Sequence, residues 1–203
     1  MENVVSVDIF IEFLEVAIHS ILYKRQLYPQ NIFEKRKKYD IPVYISTHQA
    51  INKYIQDTLD AIKLLLKINL EKISVVIANK DHKPLEKFVF EIDLQRNFNC
   101  QLDDSYLLRL EKSIREFCFK LNVCDASLTR LPPECYFMIQ VHTDESAAAS
   151  MEVESAQNFL EFPWVEADPL QTTVNKAHIL PLKFMDHEIF KMQLYVEESE
   201  TKF

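Results

Sequence analysis

The most informative property of this chain of 203 residues is that it contains no glycine. P-loops and dinucleotide-binding G-x-G-x-x-G turns need residues without a Cβ, because backbone N–H groups must close on the phosphate oxygens. A G-x-S-x-G nucleophile elbow and a Gly-rich kinase loop depend on glycine in the same way. The functions that remain are metal sites, carboxylate pairs or plain binding, and we expect a binding protein that uses no cofactor.

Long apolar runs are also missing, and cysteine is scarce. No run approaches the ~20 apolar residues that cross a bilayer, and the first segment carries Asp8, Glu12 and Glu15 within its apolar pattern. We therefore expect no membrane partner and no signal peptide. The absence of a C-x-x-C pair favours free thiols in a reduced, intracellular setting. The four cysteines are Cys100, Cys118, Cys124 and Cys135.

Positive charge is in deficit, because 23 Lys and Arg stand against 31 Asp and Glu and give a formal net charge of -8. Affinity for a nucleic-acid backbone comes from cations that neutralise phosphates. We therefore expect no direct nucleic-acid binding and a link to DNA only through a partner. The basic run at residues 35–38 is either a weak nuclear import signal or anion patch, or a charged loop that keeps the chain soluble.

Apolar periodicity predicts three helices and a sheet. The helical segments are Val7–Leu27, a stretch from a cap at Ser46 or Thr47 to about Lys67, and a stretch from Tyr106 to near Asp125. The β-prone segments are Ile41–Ile45, whose Pro42 suits an edge, the hairpin of Ile73–Ala78 and Leu85–Ile92, and Cys135–Val141. Three helices against a mainly antiparallel sheet form an α+β architecture.

The C-terminal third has a different pattern. Phe159–Val165 and Ile179–Phe184 are short β-capable runs broken by prolines, and such runs can change partners. Ile189–Val196 alternates apolar and polar residues and predicts a strand near the chain end. A strand at that place can join a sheet edge without threading the fold.

Histidine and acidic residues suggest one catalytic alternative. None of the six histidines stands in an H-E-x-x-H pattern or beside a cysteine pair, which disfavours a metal site. His142, Asp144 and Glu145 nevertheless follow a predicted strand directly, where a base and two carboxylates could serve a metal-dependent hydrolase. The competing interpretation is a solvated turn, and we favour it.

Two aromatic residues are candidates for binding. Trp164 is the only tryptophan, and it is either a core anchor for the C-terminal strands or a hot spot for a partner. Residue type alone somewhat favours the core. Tyr54, on the second predicted helix, presents the same choice.

Several longer motifs together indicate a family. They are Tyr28–Pro29, Phe33–Tyr39, Tyr54–Leu59, Glu86–Glu91, Phe162–Trp164, Leu180–Lys183 and Lys191–Glu198. In these motifs and their order the chain resembles the HORMA family, and within it the accessory subunits of DNA polymerase zeta, over nearly its whole length.

The resemblance implies a single HORMA domain over residues 1–203, with three helices on a mainly antiparallel sheet. The core would span about residues 1–158, and a mobile C-terminal safety belt would span about residues 159–203. It further implies a non-catalytic adaptor whose closed belt crosses the sheet and traps a proline-containing peptide against Tyr54 and Trp164 by β-augmentation. That peptide would come from the catalytic subunit of translesion polymerase zeta, or from a shieldin subunit in double-strand-break repair.

The resemblance also implies further partners and a location. One set of positions matches those that bind the C-terminal domain of the inserter polymerase: Ile179, Gln193 and Tyr195. Another set matches the surface for a homodimer or a HORMA heterodimer: Lys35, Arg115 and Ala126. In the family, an AAA+ remodelling ATPase holds the N-terminus, and because few residues precede the first helix here, this partner is implied less directly. The expected location is the nucleus, with the cytoplasm and the spindle as further sites.

Two alternatives and one departure accompany this hypothesis. Within the family, the alternative is a spindle-checkpoint or anaphase-inhibitor HORMA protein, which would capture a different peptide. The alternative of another class is the metal-dependent hydrolase. Gln26 departs from the pattern, since it stands where relatives carry an acid near the peptide-facing end of the first helix, and this would change contacts with a basic ligand residue.

Overall fold

The computed structural model describes residues 2–66, 70–94, 104–143, 162–186 and 190–202. The helices are α1 (Glu2–Lys24), α2 (Gln49–Leu65), α3 (Asp104–Val123) and the short α4 (Pro169–Thr172), and two 3-10 turns span Gln30–Ile32 and Cys124–Ser127. The strands are β1 (Phe33–Lys38), β2 (Ile41–Ser46), β3 (Leu70–Ala78), β4 (Pro84–Leu94), β5 (Tyr136–Thr143), β6 (Ala177–Asp186) and β7 (Phe190–Ser199).

Helix α1 lies at the centre of the helical layer. It contacts α2, α3 and β2, and every side chain from Val16 to Leu22 is buried. A helix that is covered on all sides needs apolar residues all round, which this stretch supplies apart from His19 and Ser20. The helix ends where Gln26 adopts a left-handed φ of 53°, a conformation that commonly closes helix C-termini.

Within the described ranges, the main sheet has five strands in the order β5-β3-β4-β7-β6, and every neighbouring pair is antiparallel. β3 and β4 form one hairpin, and β6 and β7 form a second hairpin that pairs with β4 through β7. The strands β1 and β2 form a separate two-stranded sheet. Among the residues that the structure describes, β5 and β6 are therefore the two edges of the main sheet.

The helices cover one face of the main sheet, and the other face is covered in part. On one face Ile73, Val75 and Ile77 of β3 pack with α1, α2 and α3 in a single apolar core. On the other face Ser74 and Val76 are also buried. Because β5 and β6 lie at opposite edges, the chain between them has to pass from one edge to the other, and we name its described part, residues 162–176, the crossing segment.

Most of the predicted elements are confirmed. The three helices, the edge strand at Pro42, the hairpin of β3 and β4, and the strands β5, β6 and β7 all occur, and they form an α+β fold. Three of the four cysteines, Cys118, Cys124 and Cys135, are free thiols. Cys100, Asp144 and Glu145 lie outside the described residues.

Three local predictions are wrong. The basic run is not a loop but most of β1, paired with β2 in a hairpin whose exposed face carries the charges. Helix α2 has His48 as its N-cap without a side-chain cap bond, because Ser46 remains in β2 and accepts the His48 N–H through its hydroxyl at 3.0 Å. Residues 162–165 form no strand, since the Trp164 N–H turns back to the Phe162 carbonyl at 2.9 Å.

Candidate functional site: an open sheet edge under the C-terminal segment

The outer side of edge strand β5 is the first part of the candidate site. The Ile139 N–H donates to the hydroxyl oxygen of Tyr54 at 3.3 Å, so it points away from β3. Because backbone groups alternate along a strand, the N–H and C=O groups of Phe137 and Val141 point outward as well. An exposed edge of this kind can take up one more strand through main-chain hydrogen bonds.

An aromatic cluster lies beside this edge on the helical side of the sheet. The ring of Phe137 meets the ring of Tyr54 edge-on, with centroids 5.5 Å apart, and meets the ring of Tyr28 at 6.2 Å. Tyr54 is 37% exposed, so a ligand can reach it. Burial, together with the nearby Tyr54, raises the pKa of Tyr28. The Tyr28 hydroxyl is therefore a neutral hydrogen-bonding group at physiological pH.

A groove of about 910 Å³ borders the start of β5. Its walls are the chain that leaves α1, residues 24–27, and the proline-rich stretch of residues 130–135 that leads into β5. Gln26 lines this groove, together with Lys24 and Glu134. The groove thus continues the open edge toward the end of the first helix, and it carries charges of both signs.

The crossing segment contacts both faces of the sheet. Trp164 is half-buried against the helix-side core, with its ring 4.7 Å from that of Phe162. On the opposite face, the Gln171 carbonyl accepts from Gln140 Nε2 at 2.9 Å, and the Thr172 carbonyl accepts from Lys87 Nζ at 3.1 Å. These bonds hold the segment against β4 and β5.

His142 does not stand in a metal-binding environment. Its Nε2 lies 3.5 Å from Nζ of Lys87, and burial, followed by the charges of Lys87 and Lys72, lowers the pKa of His142. A neighbouring ammonium group repels a metal ion. Within the ranges that the structure describes, no group of three His, Cys, Asp or Glu side chains could hold a metal, and no helix is long and apolar enough to cross a membrane.

The three residues predicted to bind a second partner lie on one face of the sheet. Gln193, Tyr195 and Glu197 are every second residue of β7 and therefore lie on the same face of the sheet. Ile179 of β6 pairs with Glu197 and lies on that face too. Ile179 is 58% exposed and Gln193 is exposed, while Tyr195 is half-buried and donates to Glu91 at 3.1 Å. Burial and the Glu91 carboxylate raise the pKa of Tyr195. The surface is therefore mixed, with apolar and neutral polar groups.

The predicted dimer residues lie on the other side of the molecule, around α3. Nη2 of Arg115 lies 3.3 Å from Asp40 in the β1–β2 turn, which connects the helix to the small sheet. Lys35 is exposed on β1, and Ala126 is exposed in the 3-10 turn after α3. Arg115 thus lies within α3 and Ala126 lies in the turn that follows it, and the basic β1–β2 hairpin lies beside α3.

Sequence reasoning missed several residues of the site. Phe137 and Tyr28 support Tyr54, and Gln140 and Lys87 hold the crossing segment. The alternation of Phe137, Ile139 and Val141 is the one signal in the sequence that could have shown which side chains of this strand face the core. No local signal indicated that β5 would be an edge, because strand order depends on pairings between distant segments.

Fold and site together define a class of protein, in which three long helices cover one face of an antiparallel sheet and a C-terminal segment passes from an open edge to the opposite edge. The family model for the HORMA domain matches residues 6–176. The chain belongs to the HORMA domain family.

Similar proteins in other organisms carry two different names. The human protein named mitotic spindle assembly checkpoint protein MAD2B is 48% identical over 196 residues, which are 96% of this chain and 92% of the relative. DNA polymerase zeta subunit 2 of Drosophila melanogaster is 28% identical over 200 residues, which are 97% of this chain and 99% of the relative.

Solved structures share the fold. A chain in the crystal structure of the mitotic checkpoint complex superimposes with a TM-score of 0.78 at 22% identity, over 95% of this chain and 98% of that chain. The Caenorhabditis elegans protein HTP-2, bound to closure motif 1 of HTP-3, superimposes with a TM-score of 0.71 at 12% identity, over 97% of this chain and 87% of that chain.

Proposed function

We propose that this chain is a non-catalytic adaptor subunit of translesion DNA polymerase zeta that captures a proline-containing peptide of the catalytic subunit along β5. The relative named DNA polymerase zeta subunit 2 supports the assignment to this polymerase. The observation that carries the peptide part is the open edge of β5, whose outward Ile139 N–H is met by Tyr54. An added strand would obtain its register from main-chain bonds and its specificity from the aromatic cluster.

One buried polar atom on the helix side supports a ligand beside the crossing segment. Among the described residues, the indole N–H of Trp164 is buried without an acceptor. A buried polar group without a partner costs roughly 1–3 kcal/mol. A peptide carbonyl is an acceptor, so capture of a peptide beside Trp164 would remove this cost.

The same adaptor has further proposed partners. The face that carries Ile179, Gln193 and Tyr195 would bind the C-terminal domain of the inserter polymerase, so that one chain bridges two polymerases. A shieldin subunit would offer a peptide to the same β5 edge, and an AAA+ ATPase would remodel the belt. These roles place the protein in the nucleus, with the cytoplasm and the spindle as further locations.

The first test is calorimetric titration of the full chain with the proline-containing peptide of the polymerase zeta catalytic subunit. Tyr54→Ala and Trp164→Ala should each weaken capture by more than ~2 kcal/mol, as expected for aromatic hot spots. Leu64→Ala is the matched control, because Leu64 is an apolar residue of the same helix α2 that is 38% exposed and should not change the affinity.

The outcomes distinguish an error in the assigned binding residues from an error in the assigned ligand. Unchanged affinity in folded Tyr54→Ala and Trp164→Ala variants would contradict the assignment of these two residues. If the unmodified chain itself does not bind this peptide, the polymerase assignment fails.

A second candidate function is a spindle-checkpoint role, which the name of the human relative favours. It would use the same β5 edge with a different peptide. Titration with checkpoint peptides in parallel discriminates between the two, because each hypothesis expects the tighter binding from its own ligand.

A further inference from the structure

The end of β7 carries a buried cluster of four charges, of which only Arg25 also belongs to the wall of the groove described above. Arg25 donates to both carboxylate oxygens of Glu86, at 2.8 Å from Nε and 2.6 Å from Nη2. Nζ of Lys202 contacts Glu86 and lies 2.6 Å from Glu198. Thr129 donates its N–H and its hydroxyl to Glu198, at 2.8 and 2.6 Å, and its carbonyl accepts from both cations.

The two acids of the cluster lie directly opposite each other on neighbouring strands. Glu86 of β4 pairs directly with Glu198 of β7, and their side chains are 0% and 9% exposed. Like charges in a directly opposed pair destabilise the pairing of two strands, and burial increases the repulsion. β7 can therefore lie against β4 only where cations compensate both carboxylates.

The two cations come from opposite ends of the chain. Arg25 follows α1, so it stays with the core whatever the C-terminal hairpin does. Lys202 follows β7, and its side chain is 2% exposed. Without Lys202, two carboxylates would face one guanidinium group, and the excess negative charge would lie at the junction of β4 and β7.

We propose that Lys202 is the positioning residue that holds the β6–β7 hairpin on β4 and thereby keeps the crossing segment over the sheet. The crossing segment leads directly into β6, so its C-terminal end is fixed only as long as the hairpin is docked. Removal of one member of a buried charge cluster leaves the others uncompensated, and the hairpin would open locally while the rest of the fold persists. Where it concerns a captured peptide, this inference rests on the proposed function.

Hydrogen–deuterium exchange of the full, ligand-free chain, followed by mass spectrometry, tests the proposal. Lys202→Met should raise the exchange rates of β6 and β7 amides at least about tenfold and leave those of β3 unchanged. In the double variant Lys202→Met and Glu198→Gln, the exchange rates of the β6 and β7 amides should return to within about threefold of the unmodified chain. The amide of the introduced glutamine keeps an acceptor for Thr129, and the remaining Arg25–Glu86 pair is neutral overall.

A matched control is available on the same hairpin. Lys183 of β6 lies 2.6 Å from Glu116 of α3, in an ion pair whose side chains are 28% and 47% exposed. Exposed pairs contribute little to stability, so Lys183→Met should stay within about threefold of the unmodified chain.

Three results would overturn the proposal. These are unchanged exchange in Lys202→Met, an equal acceleration of β3, and a double variant that exchanges as fast as the single one. Dissociation of the polymerase peptide, measured next, should be at least about tenfold faster from Lys202→Met than from the unmodified chain. If the unmodified chain captures no peptide, the proposed function fails, while the exchange result still decides the role of Lys202.

Discussion

His19 lies buried in α1, and its Nδ1 accepts the Ser46 N–H at 3.3 Å. Burial lowers the pKa of His19 from 6.5 to about 4. His19 therefore binds a proton below pH 6.5 in the unfolded chain, but only below about pH 4 in the folded chain. Stability contributed by the neutral imidazole is complete above pH 6.5 and is lost as the pH falls through this window.

We expect His19→Asn to reduce the loss of stability on acidification. An asparagine keeps an acceptor near the position of Nδ1 but takes up no proton. Between pH 7.5 and pH 5 the unmodified chain should lose about 2 kcal/mol through His19, and the variant should lack this part. Urea unfolding at the two pH values measures the difference. The pKa of His142 is also lowered, so His142→Asn is measured in parallel to separate its contribution from that of His19. An identical pH dependence in His19→Asn and the unmodified chain would contradict the argument.

Cysteine reactivity also belongs to the residue scale. Burial raises the pKa of Cys118 and of Cys124 to about 12, so fewer than about 1 in 10,000 of these thiols is ionised at pH 7.5. In the native protein both should remain unmodified by iodoacetamide while the half-buried Cys135 reacts more readily. Peptide mass spectrometry after timed alkylation checks this. Equal labelling of Cys118 and Cys135 would show that the helical layer opens readily.

At the scale of the element, the open edge of β5 leads to a prediction about how backbone changes in the ligand affect capture by the unmodified protein. In a strand that pairs with β5, every second amide points toward β5 and the others point away. N-methylation at successive peptide positions should therefore weaken capture with a period of two, by about 1.5 kcal/mol or more at inward positions.

Titration calorimetry of the methylated peptides against the full chain measures this pattern. The outward positions serve as internal controls, because the same methyl group meets no partner there. A uniform loss, or a loss confined to one residue, would indicate that side chains alone hold the ligand.

The elements differed in how far the sequence could predict them. The helices and the β3–β4 hairpin followed from apolar periodicity, because their burial repeats within the segment itself. Strand β1 did not, since five of its six residues are exposed and its pairing with β2 outweighs the low β-propensity of lysine. The site shows the same division. Tyr54 and Trp164 came from a family resemblance, whereas the Glu86–Glu198 pairing depends on how the C-terminal hairpin docks, which no local pattern encodes.

At the scale of the whole molecule, charge is distributed unevenly. The net charge is -8, yet β1 presents four consecutive basic residues on an edge. Lysine-rich edges oppose strand addition, so of the exposed edges β5 suits an added strand far better than β1. The basic hairpin is then available for contacts through side chains, next to α3.

The proposed dimer surface combines this hairpin with an exposed stripe of α3. Arg115, Phe119 and Val123 follow one another at intervals of four residues, which places them on one helical face. Phe119 is 58% exposed and Val123 is 44% exposed. Arg115 pairs with Asp40 at 3.3 Å and with Glu111 at 3.8 Å. A guanidinium group beside exposed apolar side chains is a composition typical of interface centres.

Arg115→Ala should therefore affect association much more than folding. Its ion pairs within the chain are partly exposed, so the free energy of unfolding should change by less than about 1 kcal/mol. The dissociation constant of the dimer should rise at least about tenfold, as for an interface hot spot. Sedimentation over a range of concentrations measures this, and Lys53→Ala, which breaks an exposed ion pair of α2, is the control. If the unmodified chain stays monomeric at all concentrations, the α3 stripe is not a self-association surface.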